Sequence, residues 1–189
     1  MYKKVLLAIG FLAVTMSISA QKFTGNISPL KGQKEVNVVI DFSEMLVNKQ
    51  PEESHIAFNT KDKSEEEKEQ WLKEWNEKMR EEAFEQLKEE LNKAVTKKGF
   101  LVGNYPNVEY TILVKVNSLS PGVHKLISSN VSSTVYFVKT GQTTPFATLE
   151  YKRIWGKWSD LLPDHVARIG KAFGYLGSNL GKTISKKIK

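Results

Sequence analysis

The sequence predicts an α+β domain in which two helices cover one face of a mainly antiparallel sheet. Three observations support this class: a long amphipathic pattern over residues 64–98, three alternating segments over residues 108–155, and a second helical pattern from Pro163 to the C-terminus. A sheet with one apolar face needs a cover, and amphipathic helices provide it. We therefore expect a two-layer sandwich in the order strand, long helix, three-stranded meander, C-terminal helix.

The N-terminus is typical of a secretory signal peptide. Residues 1–4 are basic, residues 5–16 are apolar, and small residues precede a cleavage point after Ala20. The apolar run is too short to cross the hydrocarbon core of a membrane comfortably, which is about 30 Å thick. We expect a signal peptide over residues 1–20, a lead-in over 21–34, a single domain over 35–189, and no transmembrane segment in the mature chain.

The first predicted strand and the long helix have clear local signals. Residues 35–43 alternate as a half-buried strand does. Ser64 and Glu67 form a capping box at the start of the helix, and Gly99 ends it. Residues 44–63 are expected to be a long connection through Pro51, in which residues 56–58 pack down or form a short strand.

The three later strands alternate apolar and polar residues around a hairpin signal at Thr140-Gly141-Gln142. The residues that alternate onto one side of the meander are Val108, Tyr110, Ile112, Val114, Val116, Val131, Ser133, Val135, Phe137, Ala147, Leu149, Tyr151, Arg153 and Trp155, with Arg153 expected at the sheet margin.

The last helix contains a stretch, LGSNLGKT, that partly matches a phosphate-binding loop. Such a loop must follow a buried strand and open a helix. Here the apolar spacing runs through the match, so Lys182 falls inside a helix and a nucleotide site is not expected. Four glycines at spacings of four, three and four form a smooth stripe, which predicts close packing on the long helix or the sheet. They are Gly170, Gly174, Gly177 and Gly181.

Two stretches carry a resemblance: KKGFLVGNYPNVEYTILVKV, a glycine helix stop before a short strand and a long strand, and the basic helix end GKTISKKIK. In layout the chain resembles small exported envelope proteins of unknown function, many of them lipoproteins. It is also similar to α+β accessory domains of outer-membrane assembly and secretion machinery. The chain lacks the lipobox cysteine of lipoproteins, so stable lipid anchoring is not implied.

The composition restricts the chemistry. There is no cysteine, which excludes disulfides, thiol catalysis and thiolate-bound zinc. His55, His124 and His165 lack the spacing of a metal site and are expected to be solvated, in loops or at a helix start. No catalytic residue, metal or cofactor is assigned.

The positive charge lies in the C-terminal half. Residues 99–189 hold twelve basic and four acidic residues, out of a net charge of +7 for the whole chain. After export, anionic lipid head groups, lipopolysaccharide, acidic glycans or an acidic partner protein suit this charge better than nucleic acid does. The alternative is that the basic residues serve solubility and complement the helix ends.

Aromatic and basic residues alternate in the last strand and just beyond it. The speculative binding residues are Lys152, Arg153, Trp155, Lys157 and Trp158. A tryptophan among cations suits a membrane interface or stacking on sugars. The alternative is that Tyr151 and Trp155 share one strand face and belong to the core.

The sheet face away from the helices provides a second candidate. It is expected to carry Val39, Leu113, Tyr136, Val138 and Ile154. Gathered together, they would form an interface for a homo-oligomer or a larger assembly. Scattered surface apolar residues are the alternative.

These observations favour an exported, non-catalytic envelope protein, periplasmic, peripheral to the envelope or secreted, that binds a partner protein or an anionic lipid or glycan. The alternatives are an exported hydrolase acting on a cell-wall or lipid substrate, and a carrier of a small apolar ligand.

Overall fold

The computed structural model describes residues 22–124, 126–157, 162 and 164–188. The predicted signal peptide and Trp158 lie outside the described residues. The strands are β1 (Lys22–Gly25), β2 (Glu35–Asp41), β3 (Leu46–Val47), β4 (Gln50–Pro51), β5 (Leu101–Gly103), β6 (Tyr110–Ser120), β7 (Asn130–Lys139) and β8 (Ala147–Trp155). The helices are α1 (Glu52–Thr60), α2 (Glu65–Lys73), a π-helical turn (Glu74–Lys78), α3 (Met79–Val95) and α4 (His165–Lys187).

The predicted α+β class is confirmed. The main sheet has the strand order β1-β8-β7-β6-β2-β5. The meander β6-β7-β8 is antiparallel, whereas β2 pairs in parallel with both β6 and β5. The parallel pairing arises because the long helix carries the chain from β2 back to the same end of the sheet. The sheet also includes β1, which lies within the segment predicted as a lead-in.

The long helix has the predicted ends. The Ser64 hydroxyl accepts a hydrogen bond from the Glu67 backbone N–H at 3.3 Å, and the Glu67 carboxylate accepts one from the Ser64 N–H at 2.9 Å. Gly99 adopts a φ of 90°, the left-handed conformation that glycine tolerates at a helix end. A π-helical turn between α2 and α3 contains Trp75, which is fully buried.

The segment predicted as a connection over residues 44–63 contains α1 as well as the short strands β3 and β4. Pro51 is the residue immediately before α1. The backbone N–H groups at the start of a helix have no partner within the helix, so the N–H that proline lacks is not missed there. The sequence does not predict α1, because EESHIAFNT has little apolar periodicity.

The core lies between the inner sheet face and the helices, and it includes Trp75 of the π-helical turn, Phe137 of β7, Tyr151 of β8 and Phe173 of α4. None of the helices in the described ranges combines the length and the apolar character needed to cross a membrane.

The glycine stripe of α4 lies along α3. A Cβ on Gly177 would overlap the backbone carbonyl of Leu87, and one on Gly181 would come within 2.7 Å of the Ala94 Cβ. A Cβ on Gly170 would meet only the flexible Glu82 side chain, at 2.6 Å. Gly174 differs from the expectation, because its nearest contact would be an ordinary 3.5 Å to the Glu90 side chain.

A β-bulge in β8 corrects two predictions. Ser133 pairs with Tyr151 but Val131 pairs with Ile154, so two residues of β8 lie opposite one residue of β7. The extra residue reverses the alternation beyond it. Ile154 is therefore in the core, 8% exposed, instead of on the open face, and Trp155 is 47% exposed instead of in the core.

Candidate functional site

The helix α4 presents three different faces along its length. At 3.6 residues per turn, the core residues Ile169, Phe173, Leu176, Leu180 and Ile184 share one face. The glycines that approach α3 form the adjacent face. The face opposite the core carries Lys171, Tyr175, Ser178, Lys182 and Lys186, which fall within an arc of about 80°. We call this third face the cationic stripe.

A groove of about 410 Å³ follows the cationic stripe. One wall belongs to α4, and Gln86 and Glu90 of α3 form the other, with Gly174 at the base between them. The groove exists because the glycine leaves space between the two helices. Its lining residues on the α4 side and beyond β8 are Lys157, Lys171, Tyr175, Ser178, Asn179 and Lys182.

The two acidic residues beside the groove share one lysine of α3. Lys93 lies 2.5 Å from the Glu90 carboxylate and 2.9 Å from that of Glu89. The hydrogen bond and charge of Lys93 lower the pKa of Glu89, and the charge of Lys171 contributes. Both carboxylates are therefore paired with Lys93 within α3.

The cations of the stripe have no such partners. Across the described ranges, no carboxylate forms an ion pair with Lys171, Lys182 or Lys186. Among the residues that line the groove, Lys157, Lys171 and Lys182 outnumber the single acidic residue, Glu90, so the groove has an excess of positive charge.

Aromatic and amide groups lie among these cations. The Lys157 ammonium stands 5.3 Å from the centre of the Tyr175 ring, a cation–π contact that joins the end of β8 to α4. The Asn179 side chain donates to the Tyr175 carbonyl at 2.9 Å, which fixes the amide and leaves its oxygen as an acceptor. Farther along, Lys187 lies 4.2 Å from the ring centre of Phe23 in β1.

The structure separates the predicted aromatic–basic residues. Lys157 faces α4, whereas Lys152 and Trp155 lie on the other side of the sheet, beyond the bulge. The Arg153 guanidinium is 5.5 Å from the Trp155 ring centre, so these two side chains pair at the surface. Trp158 lies outside the described residues.

Of the five residues predicted to form a patch on the open face of the sheet, three do so. Val39, Leu113 and Tyr136 are neighbours on successive strands and form one continuous row. Val138 is 6% exposed and lies beside Thr111 at a covered end of the sheet. Ile154, as described above, belongs to the core. The sheet therefore exposes a narrow apolar row among polar neighbours.

The histidine prediction holds only for His124, which is exposed. His55 belongs to α1 instead of a loop, and both it and His165 are half-buried against tryptophans. No group of three or more potential metal-binding side chains is found in the part of the chain that the structure describes.

Sequence analysis missed the cationic stripe, although the signal was present. Residues 171, 175, 178, 182 and 186 recur at spacings of four and three, as the apolar residues of the same helix do. The polar face of an amphipathic helix is ordinarily a solvated surface, so this spacing alone does not predict a site.

No family model matches the chain, and none of the curated proteins does. Among solved structures it is similar to a PelC dodecamer from Paraburkholderia phytofirmans, with 12% identity and a TM-score of 0.42, over 82% of this chain and 97% of that one. A substituted form of the same dodecamer has 9% identity and a TM-score of 0.36, over 85% and 95% of the two chains. Both similarities are distant, so function is inferred from the residues of this chain.

Proposed function

We propose that this is an exported, non-catalytic protein that binds an acidic envelope glycan along the cationic stripe of α4. The observation that supports this most is the alignment of Lys171, Lys182 and Lys186 on one exposed helix face, without carboxylate partners in the described ranges. Lys182 and Lys186 are four residues apart on this face, so their like charges repel each other. A polyanion that lies along α4 relieves that repulsion.

The groove suits a glycan better than a membrane surface. The stripe carries hydroxyl and amide groups at Ser178 and Asn179 and one phenol ring at Tyr175, so it offers hydrogen bonds to sugar hydroxyls as well as charges to carboxylates or sulfates. It presents no large aliphatic side chain for insertion into a bilayer. Lipid head groups are therefore the second source of anionic charge to be tested.

The alternatives receive less support. A serine hydrolase needs a serine beside a histidine, and no serine is among the described residues that line the cleft containing His55 and His165. A carrier of an apolar ligand needs an internal cavity, whereas the space between sheet and helices is occupied by side chains such as Phe137, Leu149 and Phe173.

The test is binding to an immobilised carboxylated polysaccharide, alginate, at low ionic strength. The wild type is compared with a Lys171→Gln/Lys182→Gln/Lys186→Gln variant. The matched control is Lys61→Gln/Lys63→Gln/Lys68→Gln, which removes the same charge near the start of the long helix. We expect retention of the wild type and of the control, and loss of retention by the stripe variant.

Two further arms separate the sources of binding. Co-sedimentation with vesicles containing phosphatidylglycerol measures affinity for anionic lipid. A Lys152→Gln/Arg153→Gln variant measures the contribution of the open face. Equal retention of the stripe variant and the control would refute the proposal, and binding to vesicles but not to alginate would assign the stripe to lipid.

A further inference from the structure

A second cleft lies at the opposite end of α4 from its basic C-terminus. It has a volume of about 420 Å³, which is within the range of about 300–1,000 Å³ typical of small-ligand sites. Its walls come from α1, the long helix, the segment after β6 and the start of α4. Residues that line it include Asn48, His55, Phe58, Trp71, His165 and Arg168.

The half-buried Trp71 contributes a flat ring to the wall of the cleft, and the fully buried Trp75 packs against it. Trp71 and Trp75 stack with their planes 8° apart and their centres 5.5 Å apart. His55 lies 4.7 Å from Trp75, and His165 lies 6.4 Å from Trp71 in a nearly parallel orientation. The π-helical turn, which contains Trp75, lies directly under this cluster. Such turns are frequent at functional sites.

Hydrogen bonds hold the residues around this ring cluster in place. The Trp75 indole N–H donates to the Glu52 carboxylate at 2.7 Å, and Arg80 donates to the same carboxylate at 3.1 Å. On the other side, Arg168 donates to the backbone carbonyl of Pro121 at 3.1 Å and to that of Leu162 at 2.5 Å. The Glu52 carboxylate is therefore satisfied inside the protein, and the Asp164 carboxylate, 3.8 Å from the His165 Nδ1, accepts hydrogen bonds from the first backbone N–H groups of α4.

The cleft also offers neutral hydrogen-bonding groups. Burial lowers the pKa of both His55 and His165, so that both imidazoles are neutral at neutral pH, each with one donor and one acceptor. Within the described residues, the buried Nε2 of His165 has no hydrogen-bond partner. Asn48 is exposed at the rim in a left-handed conformation with a φ of 51°.

We propose that this cleft is a binding site for a neutral pyranose ring, separate from the cationic stripe. The apolar C–H face of such a ring packs on flat aromatic groups, and its hydroxyls pair with amides and neutral imidazoles. Phe58, 69% exposed, and Val123, 46% exposed, give the rim an apolar surface for a neighbouring sugar unit.

The experiment uses the mature chain and three uncharged oligosaccharides: cellotriose, maltotriose and chitotriose. Binding is measured by isothermal titration and by tryptophan fluorescence. Two variants alter the cleft without disturbing the core. Phe58→Ala removes the exposed rim ring, and Asn48→Gly removes the amide while keeping the left-handed backbone.

The matched control is Lys49→Gly, because Lys49 also has a left-handed φ, 69°, but is not among the residues lining the cleft. We expect saturable binding of at least one trisaccharide with a Kd of about 1 mM or tighter. Each cleft variant should weaken it about tenfold, and the control should bind like the wild type.

Absence of saturable binding by all three sugars would overturn the proposal. Binding that both cleft variants leave unchanged would overturn it as well, because the sugar would then lie elsewhere. The stripe variant of Lys171, Lys182 and Lys186 should retain trisaccharide binding. Failure of the neutral site and failure of the acidic-glycan proposal are therefore separate results.

Discussion

Gly177 of α4 packs directly on the backbone of Leu87 of α3, so closely that a Cβ at position 177 would overlap the Leu87 carbonyl oxygen. The contact involves main chain on both sides, which cannot move aside as a side chain can. Both helices depend on it for their close packing, and the groove beside the cationic stripe depends on their position.

Gly177→Ala should therefore destabilise the fold. Overpacking costs about 1–3 kcal/mol and exceeds the gain of about 1 kcal/mol from replacing glycine in a helix. Gly174→Ala is the matched control, since its Cβ would have ordinary contacts from 3.5 Å outward. Urea unfolding should show a lower free energy of unfolding for Gly177→Ala and no decrease for Gly174→Ala. Equal effects would contradict the close-approach interpretation.

Because of the bulge in β8, substitutions of Ile154 and of Trp155 should have different effects on stability. Ile154→Ala should lower the free energy of unfolding by about 2–5 kcal/mol, because it leaves a cavity in the core. Trp155→Ala should change it by less than about 1 kcal/mol, since that ring is 47% exposed. Thermal unfolding of the two variants measures the difference. A larger loss of stability for Trp155→Ala than for Ile154→Ala would mean that β8 alternates regularly to its end, without the bulge.

Glu52 should matter to stability more than its place in α1 suggests. Glu52→Ala leaves the Trp75 indole N–H and the Arg80 guanidinium without their acceptor, at a cost of about 1–3 kcal/mol. Glu53→Ala, at the next and exposed position, is the control for loss of a charge near the helix start. Chemical denaturation should separate the two variants, whereas equal losses would show that only the charge matters.

Stability should fall as the pH is lowered through the histidine range. Burial lowers the pKa of His55 and His165 in the folded protein, so the unfolded chain takes up protons first. The free energy of unfolding is then greatest above about pH 6.5, the ordinary histidine pKa, and decreases until the folded-state pKa values have been passed. The slope arises from these two residues together.

The measurement is a series of urea titrations between pH 7.5 and pH 5. His165→Gln should reduce the slope, because a neutral amide replaces a group whose protonation opposes folding. His124→Gln is the control, since His124 is exposed. A steeper fall for His165→Gln than for the wild type would contradict the assignment.

Several elements follow from strong local signals in the sequence. The capping box at Ser64, the glycine end at Gly99, the alternation of β2, β6 and β7, and the apolar spacing of α4 all appear in the structure as expected. Each of these signals depends on residues within one or two turns or strand repeats, so neighbours along the chain suffice to specify it.

The two candidate sites depend on how distant parts of the chain pack together. The bulge opposite Ser132 turns Ile154 inward, and with it the predicted binding strand divides between two sides of the sheet. The cleft joins His55 to His165, which lie more than a hundred positions apart in the sequence. One extra residue in a strand reverses every side chain beyond it, and long-range contacts depend on how the elements pack. Neither effect leaves a local trace in the sequence, which is why the fold class could be predicted and the sites could not.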